Sequence, residues 1–151
     1  TVVAKLFTQS RATDAFFGEK DFQQLQVVRR MARDLDIPIT VHGCPTIREM
    51  DGLAMSSRNL LLSDRARAKA PILFEEMEKI AQGLVSGAPF ADLHAAALRR
   101  LAASDFTKTE YLELRANDDL CLLDAPTRPA RLFAASWLAG VRMIDNIAVE
   151  A

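Results

Sequence analysis

The sequence predicts a mixed α/β protein built in two parts. Near the N-terminus a strand, a helix and a second strand follow one another, an order typical of a parallel strand pair joined by a right-handed crossover. Further along, two amphipathic helical stretches precede three β-rich runs, and a glycine between the last two favours an antiparallel hairpin. Half of the 151 residues are hydrophobic, which is enough for one ordinary domain core or for a small domain with part of another attached.

The first part is predicted from apolar spacing and from one chain breaker. Residues 1–11 have the character of the end of a helix, and Asp14–Phe17 that of a short buried strand. The next helix begins near Asp21, which would serve as a cap or first-turn acid, and Pro38 stops it. Ile37–Val41 is a second β-rich run. The apolar stripe of the helix consists of Leu25, Val28, Ala32 and Leu35.

The second part begins after a polar and irregular segment, residues 43–63, which suits a ligand-covering loop and a domain boundary. Two helical stretches follow and are separated by residues 83–89. Their apolar stripes are Leu73, Met77, Ile80 and Leu84 in the first, and Phe90, Leu93, Ala97 and Leu101 in the second. The predicted strands are residues 110–114, residues 131–138 and a run from residue 141 onward.

The overall charge gives no reason to expect nucleic acid or a membrane as a partner. There are 19 basic and 20 acidic residues, a formal net charge of -1, so any positive site must be local. No apolar run approaches the ~20 residues of a membrane-spanning helix and no secretion signal is recognisable, so we expect a cytoplasmic protein. Cys44 and Cys121 match no metal-binding spacing, and we expect free buried thiols rather than a disulfide or a zinc site.

A phosphate-binding turn is predicted where the first strand meets the helix. Gly18 lets the backbone approach a ligand closely, and Lys20 and Asp21 lie where free N–H groups mark the start of the helix. Lys20 would hold an oxygen of a triphosphate, and Asp21 could accept hydrogen bonds from ribose hydroxyls. Gln24, one helical turn further, could reach a neighbouring polar substrate. Taken alone, such a turn is more often a solvated helix start than a binding site.

The second candidate segment is Met55-Ser56-Ser57-Arg58. Two hydroxyls and a guanidinium on a loop suit phosphate oxygens that gain charge as pyrophosphate leaves. Taken alone, this segment too is more often a polar turn. Both candidate segments follow successive strand ends, however, and ligands of open α/β sheets bind at such ends. The combination favours one ATP-phosphate site.

Three runs of the sequence stand out together: Phe17–Gln24, Pro45–Asn59 and Leu138–Asn146. They resemble one enzyme family, the pantothenate synthetases or pantoate–β-alanine ligases, and the resemblance covers essentially the whole chain. It implies that residues 1–47 are the C-terminal part of a Rossmann-like parallel-sheet domain that binds ATP and pantoate. Residues 48–151 would be a small α+β domain of helices and antiparallel sheet, with a loop similar to the KMSKS loop of class I aminoacyl-tRNA synthetases at its start.

The resemblance implies an ATP-dependent ligase. Pantoate would react with ATP to give pantoyl adenylate and pyrophosphate, and β-alanine would then displace AMP, with Mg²⁺ accompanying the ATP. Lys20 and Arg58 would be catalytic and Gln24 would bind pantoate. The implied ATP-binding residues are Gly18, Glu19, Lys20, Asp21, Ile47, Met55, Ser56, Ser57 and Arg58. The implied partners are the three small substrates, an N-terminal half of the same enzyme and a second copy in a homodimeric parent.

The chain departs from the family in one respect, because nothing in it matches the family's N-terminal His-x-Gly-His motif. His42-Gly43 resembles that motif only superficially, and His94 falls within a predicted helix. We therefore expect ordinary structural or surface roles for both histidines. We therefore expect a C-terminal portion of the enzyme that is inactive alone. It should self-associate through uncovered apolar side chains, those of Val2, Val3, Leu6 and Phe16.

Two alternatives stay open. The chain could be a non-catalytic nucleotide-binding or structural module that needs the missing half, in which case activity would appear only when that half is added. It could also be a different adenylate-forming ligase on the same fold. Pyrophosphate release tested over several carboxylic acids would separate this second alternative from pantoate activation.

Overall fold

The computed structural model describes residues 2–149, and these contain a two-stranded parallel sheet, a three-stranded antiparallel sheet and α-helices. The mixed α/β class predicted from the sequence is confirmed. The chain divides into two compact units, Thr1–Thr46 and Ile47–Ala151. Among the described helices, none has the length and apolar character needed to cross a membrane.

The first unit is a strand–helix–strand arrangement with a helix before it. Its two strands are parallel and in register, with Asp14 opposite Thr40 and Gly18 opposite Cys44. The elements are α1 (Val2–Ser10), β1 (Asp14–Gly18), α2 (Phe22–Asp34) and β2 (Thr40–Cys44). A single 3₁₀ turn over Glu19–Asp21 joins β1 to α2. Both strands therefore end at the same edge of the sheet, and the turn that starts α2 lies at that edge.

Helix α2 packs by the apolar stripe that its sequence predicts, with one exception. Leu25, Val28 and Ala32 are buried because residues three and four apart share one helix face. Leu35 is 58% exposed, so its place in the predicted stripe is wrong. The helix ends at Asp34, and Leu35 already has non-helical backbone angles, so its side chain leaves the stripe.

The strands of the first unit differ from the prediction in burial and position. Asp14–Phe17 is predicted as buried, but residues along β1 alternate between exposed and partly buried, and Phe16 is 70% exposed. The second strand begins at Thr40 rather than Ile37, because the Ile37 amide still donates to the Ala32 carbonyl (2.9 Å) at the helix end. Val3 packs against the cluster around Phe7 and is not uncovered as expected, whereas Val2 and Leu6 are exposed.

The second unit has helices on one side of the antiparallel sheet. Its elements are α3 (Asp64–Arg67), α4 (Ile72–Val85), α5 (Phe90–Ala103), β3 (Phe106–Ala116), β4 (Ala130–Leu138) and β5 (Val141–Val149), with strand order β3-β4-β5. The two predicted apolar stripes meet the sheet in one core, in which Phe90 and Leu93 are partly buried and the rest fully. Helix α3, which is four residues long, is absent from the prediction.

The predicted hairpin is present between β4 and β5. Leu138 lies opposite Val141, and the two residues of the turn, Ala139 and Gly140, have φ angles of 49° and 79°. Positive φ at both positions is the signature of a type I′ turn, whose twist matches that of the flanking strands. The cysteines are both free, but Cys121 is exposed and Cys44 only partly buried, so the expectation of buried thiols is wrong. Cys121 lies in the surface connection between β3 and β4.

Candidate functional site

The first group of predicted site residues surrounds the turn between β1 and α2. Gly18 has ordinary extended angles (φ -66°, ψ 132°), and no atom lies within 4 Å of the place where a Cβ would stand. Asp21 occupies the N-cap position of α2, as predicted, but its side chain makes no capping hydrogen bond. Lys20 is partly buried, and Asp21 and Gln24 are exposed. The turn thus presents an open glycine and polar side chains at one helix start.

Gly43 on β2 is the closely packed glycine of the first unit, and the sequence interpretation assigned it no role. A Cβ at Gly43 would come within 2.9 Å of Glu19 Oε1 and 3.0 Å of Leu25 Cδ2. A side chain there would therefore displace Glu19 or α2. The Arg29 guanidinium also reaches β2 and donates from Nε to the Val41 carbonyl (3.2 Å). The backbone of β2 fixes the start of α2, and with it the predicted phosphate-binding turn.

His42 has the structural role expected for it. Its Nε2 lies 2.7 Å from Asp14 Oδ1, and its ring stacks on Phe16 with centroids 4.8 Å apart. The hydrogen bond from His42 holds the pKa of the Asp14 carboxyl below its usual value. The ring of His94 lies on α5 against Phe90, at 5.6 Å between centroids. Both histidines therefore make structural contacts within their own units.

The second group of predicted residues begins on a short hairpin, here called the Ile47–Met55 hairpin. The Met55 amide donates to the Ile47 carbonyl (3.0 Å), and the Glu49 amide to the Leu53 carbonyl (2.8 Å). These bonds bring Ile47 and Met55 side by side, with side chains 71% and 55% exposed. The hairpin therefore offers two neighbouring apolar side chains directly before the Ser56-Ser57-Arg58 segment.

The segment after the hairpin is a 3₁₀ turn over Ser57–Leu61. Ser56 caps it, because its Oγ accepts from the Arg58 amide at 3.2 Å. The Arg58 side chain is exposed, and its Nη1 donates to the Arg142 carbonyl on β5 at a long 3.4 Å. A hydroxyl that serves as a cap and a weakly held guanidinium are groups that can rearrange around phosphate oxygens.

Arg48 anchors the hairpin to the body of the second unit. Its guanidinium donates to both oxygens of Asp145 on β5, at 2.6 and 3.0 Å, and to the Gly52 carbonyl at 3.0 Å. It also lies over the ring of Phe74 on α4, at 3.9 Å from the centroid. The Asp145 side chain is 5% exposed, so this is a nearly buried, bidentate ion pair.

Arg67 on α3 holds the hairpin from another direction. Its two terminal nitrogens donate to Glu49 Oε2 and Asp51 Oδ2, each at 2.6 Å. Hydrogen bonds from Arg67, and for Glu49 also from Asn59, hold the pKa of both carboxyls below their usual values, and the two carboxylates raise the pKa of Arg67. The sequence interpretation gave no role to the four residues of this network, because the bonded pairs lie 10 to 18 positions apart and offer no local signal.

Two cavities of the second unit lie apart from the predicted residues. One, of about 430 Å³, is bordered by residues 126–130, Asn117 and the end of β5. The other, of about 340 Å³, lies beside Arg65, Lys69 and Asp105. Across residues 2–149, no three His, Cys, Asp or Glu side chains are grouped so that they could hold a metal ion.

Comparison with known proteins gives consistent matches. A family model described as Pantoate-beta-alanine ligase matches residues 1–148. The chain is 68% identical over 149 residues to a pantothenate synthetase from Roseobacter denitrificans and 58% identical over 150 residues to one from Ruegeria pomeroyi. These matches cover 99% of the chain but 52% and 53% of the two relatives, so the chain spans about half the length of the curated relatives it matches.

Two solved structures are also similar. The pantothenate synthetase from Thermus thermophilus matches with a TM-score of 0.92 and 41% identity, over 100% of this chain and 55% of that one. The pantoate-beta-alanine ligase from Francisella tularensis, solved in complex with beta-gamma ATP and beta-alanine, matches with a TM-score of 0.72 and 26% identity, over 99% and 49%.

Proposed function

Because this chain belongs to the pantoate–β-alanine ligase family, we propose that it takes part in the ATP-dependent condensation of pantoate with β-alanine. The family match over residues 1–148 is the observation that carries the proposal. ATP and β-alanine are also the ligand types named for the similar Francisella tularensis enzyme. The product would be pantothenate.

The proposed reaction has two steps. An oxygen of the pantoate carboxylate attacks the α-phosphorus of ATP, and the bond to the β-phosphate breaks to release pyrophosphate and leave pantoyl adenylate. The amine of β-alanine then attacks the acyl carbon, the bond to the AMP oxygen breaks, and the amine loses a proton as the amide forms. Charge develops on pyrophosphate in the first step and on AMP in the second, so positive groups held near the phosphates lower the barrier.

We assign the charge-stabilising roles to Lys20 and Arg58. Lys20 lies in the 3₁₀ turn that leads into α2, where the N–H groups of the helix start favour an anion. Arg58 has an exposed guanidinium on a capped turn, so it can reach phosphate oxygens without unfolding its surroundings. Gly18, Glu19, Asp21, Ile47, Met55, Ser56 and Ser57 are the proposed further contacts of ATP. Gln24, exposed on α2, is proposed to bind pantoate.

Several finer points stay predictions from the sequence. Mg²⁺ would enter with ATP as a complex of its phosphates, which is the usual way this ion is bound at such sites. A homodimeric parent enzyme, a cytoplasmic location and the two domains at residues 1–47 and 48–151 are likewise predictions. The alternative of a non-catalytic module is tested by adding the N-terminal half of a relative to this chain: activity that appears only then would favour the module.

The test of the proposed site is a pair of substitutions in a full-length ligase that carries these residues. Lys20→Ala and Arg58→Ala should each lower kcat/KM for pantoate-dependent pyrophosphate release by ~10²-fold or more, because each removes a charge that stabilises the transition state. Arg100→Ala, at an exposed position on α5, is the matched control and should change kcat/KM by less than about twofold. Near-normal kinetics for both Lys20→Ala and Arg58→Ala would refute the assignment.

Gln24→Ala separates pantoate binding from ATP binding. If Gln24 contacts pantoate, the variant should raise KM for pantoate with little change in KM for ATP. The measurement is initial-rate pyrophosphate release with each substrate varied in turn. A change confined to the ATP dependence would show that the pantoate role of Gln24 is wrong.

A further inference from the structure

Glu49 is bound on both of its carboxylate oxygens by residues from different parts of the second unit. Oε1 accepts from Asn59 Nδ2 at 3.0 Å, and Oε2 accepts from Arg67 Nη2 at 2.6 Å. Asn59 directly follows Arg58 in the 3₁₀ turn, and Arg67 belongs to α3. One carboxylate on the hairpin therefore ties the Arg58 turn to a neighbouring helix.

Asn59 transmits this constraint to the backbone of Arg58. Its side chain is buried, and Nδ2 also donates to the Ala54 carbonyl at 3.1 Å, so both acceptors of this amide lie on the Ile47–Met55 hairpin. On the other side of Arg58, Ser56 caps the turn. The hydrogen bonds of Ser56 and Asn59 thus fix the backbone on both sides of Arg58, while the Arg58 guanidinium is exposed. A fixed backbone with an accessible charge is the arrangement that an anion-binding side chain requires.

The hairpin that carries Glu49 is itself rigidly held. Arg48, next to Glu49, makes the bidentate pair with Asp145. At Gly52 the backbone approaches the Phe74 ring so closely that a Cβ would lie 2.5 Å from Cδ1. A support held by a nearly buried ion pair and a close ring contact can fix the position of the groups bonded to it.

We propose that Glu49 is a positioning residue for the reaction, which orients Arg58 toward the triphosphate through Asn59 and Arg67 without touching substrate. This inference rests on the proposed function, in which Arg58 contacts ATP. The carboxylate acts twice: its charge pairs with Arg67, and its second oxygen fixes Asn59. Replacing Glu49 by Ala removes both interactions, whereas Gln keeps an oxygen acceptor for Asn59 and loses the charge.

A closely matched control is available within the same unit. Glu113 on β3 pairs with Arg115 at 2.7 Å, and the side chains of Glu113 and Arg115 are 33% and 26% exposed. The corresponding values for Glu49 and Arg67 are 34% and 27%, with a distance of 2.6 Å. Glu113→Ala therefore removes an ion pair of the same type and exposure, but one that contacts neither the hairpin nor the Arg58 turn.

The experiment compares Glu49→Ala, Glu49→Gln and Glu113→Ala in a full-length ligase that carries this sequence. Glu49→Ala should lower kcat for pyrophosphate release by about tenfold or more, with KM for pantoate unchanged within about threefold. Glu49→Gln should retain more activity than Glu49→Ala, and Glu113→Ala should stay within about twofold of the parent. Melting temperatures measured in parallel should fall further for Glu49→Ala than for Glu113→Ala, because Glu49→Ala also removes the hydrogen bond to the buried Asn59. Equal loss of kcat in these two variants would overturn the proposal.

Ligand-free proteolysis gives a second readout. Trypsin cleaves after Arg58, and release of the turn in Glu49→Ala should speed this cleavage at least threefold relative to cleavage after Arg100, with no such change in Glu113→Ala. The same rate in Glu49→Ala as in the parent enzyme would contradict the role of Glu49 in holding the turn.

A double-mutant cycle with Arg58→Ala distinguishes this inference from the proposed function. If Glu49 acts through Arg58, adding Glu49→Ala to Arg58→Ala should change kcat by less than about twofold. Additive effects, or an impaired Arg58→Ala with a normal Glu49→Ala, would overturn the role of Glu49 and leave the proposed function intact. A normal Arg58→Ala would instead refute the phosphate role of Arg58, and the inference would fail with it.

Discussion

At the residue scale, two arginines of the same sequence run differ in the contacts and exposure of their side chains. Arg48 and Arg58 both lie within the run that resembles the ligase family, ten positions apart. The Arg48 guanidinium binds the Asp145 carboxylate and the Gly52 carbonyl and lies over the Phe74 ring. Arg58 is exposed and has a single long hydrogen bond to a backbone carbonyl among its described contacts. Arg48 therefore supports the segment, and Arg58 is the cation that remains available to a ligand.

Gly52 gives a residue-scale prediction. Its φ of +88° disfavours any side chain, and a Cβ would collide with the Phe74 ring. Gly52→Ala should lower the free energy of unfolding of the second unit by about 2–4 kcal/mol, because strain and overpacking add. The measurement is urea unfolding followed by fluorescence of Trp137, the one tryptophan of the chain.

Gly87 is the matched control for this substitution. Its φ of +84° is nearly the same, but no atom lies within 4 Å of its Cβ position. Gly87→Ala should therefore cost about 1 kcal/mol from backbone strain alone. Equal losses for the two variants would show that the contact with Phe74 has no energetic effect.

The candidate site could be predicted only in part from sequence. Residues 55–58 stand out because two hydroxyls and a guanidinium adjoin one another in the chain. The Arg48–Asp145 pair joins residues 97 positions apart, and no spacing rule connects them. Glu49, Asn59 and Arg67 are likewise brought together by the hairpin and the start of α3. Local composition thus identifies groups that could bind a ligand, whereas the residues that hold them depend on tertiary structure.

At the element scale, prediction succeeded where one face of an element meets a core. The stripe of Leu73, Met77, Ile80 and Leu84 is buried because the period of a helix forces these side chains onto one face. The prediction failed at ends: β2 starts three residues later than expected, and Leu35 lies beyond the last turn of α2. Ends depend on individual hydrogen bonds, such as that from Ile37 to Ala32, which apolar periodicity does not encode.

The hairpin between β4 and β5 supplies an element-scale prediction. Ala139 occupies the first central position of the type I′ turn with a φ of 49°, which costs an alanine about 1 kcal/mol. Ala139→Asn should raise the free energy of unfolding by about 0.5–1 kcal/mol, because asparagine tolerates this region and Asn-Gly is the preferred pair. Ala139→Val should lower it. The midpoints of urea unfolding would test both variants, provided that the dependence of the unfolding free energy on urea concentration stays the same. A more stable Val variant would contradict the turn assignment.

At the scale of the whole molecule, the described chain consists of two units with separate clusters of buried side chains. The larger cluster joins α4, α5 and the antiparallel sheet, and the smaller one surrounds Phe7, Val28 and Ala32. The smaller unit exposes more of its large apolar side chains relative to its size, with Val2 at 72%, Leu6 at 57% and Phe16 at 70%. The first unit therefore depends on few buried contacts, and it should be the less stable of the two.

Self-association is the whole-molecule prediction. Because its exposed apolar side chains favour burial, the 151-residue chain should sediment as oligomers at micromolar concentrations, and Phe16→Ser should shift it toward the monomer. Val85→Ser is the control, since Val85 is 55% exposed at the end of α4 in the other unit. Sedimentation velocity over a range of concentrations makes the comparison. A clean monomer for the parent chain would disprove the prediction.

The contacts of Arg48 and Arg58 with β5 have a consequence for aggregation. Strand β5 lies at the edge of its sheet. Val141 pairs with Leu138 beside the turn, and from there every second residue of β5 directs its backbone groups toward β4. The carbonyls of the residues between them, Arg142 and Asn146 included, therefore face away from β4. Arg58 donates to the first of these carbonyls and Arg48 to the second, each at 3.4 Å. An additional strand from another molecule would have to displace both side chains to form cross-β pairing along this edge. The segment proposed to bind ATP thereby also occupies two of the edge acceptors that such pairing would use.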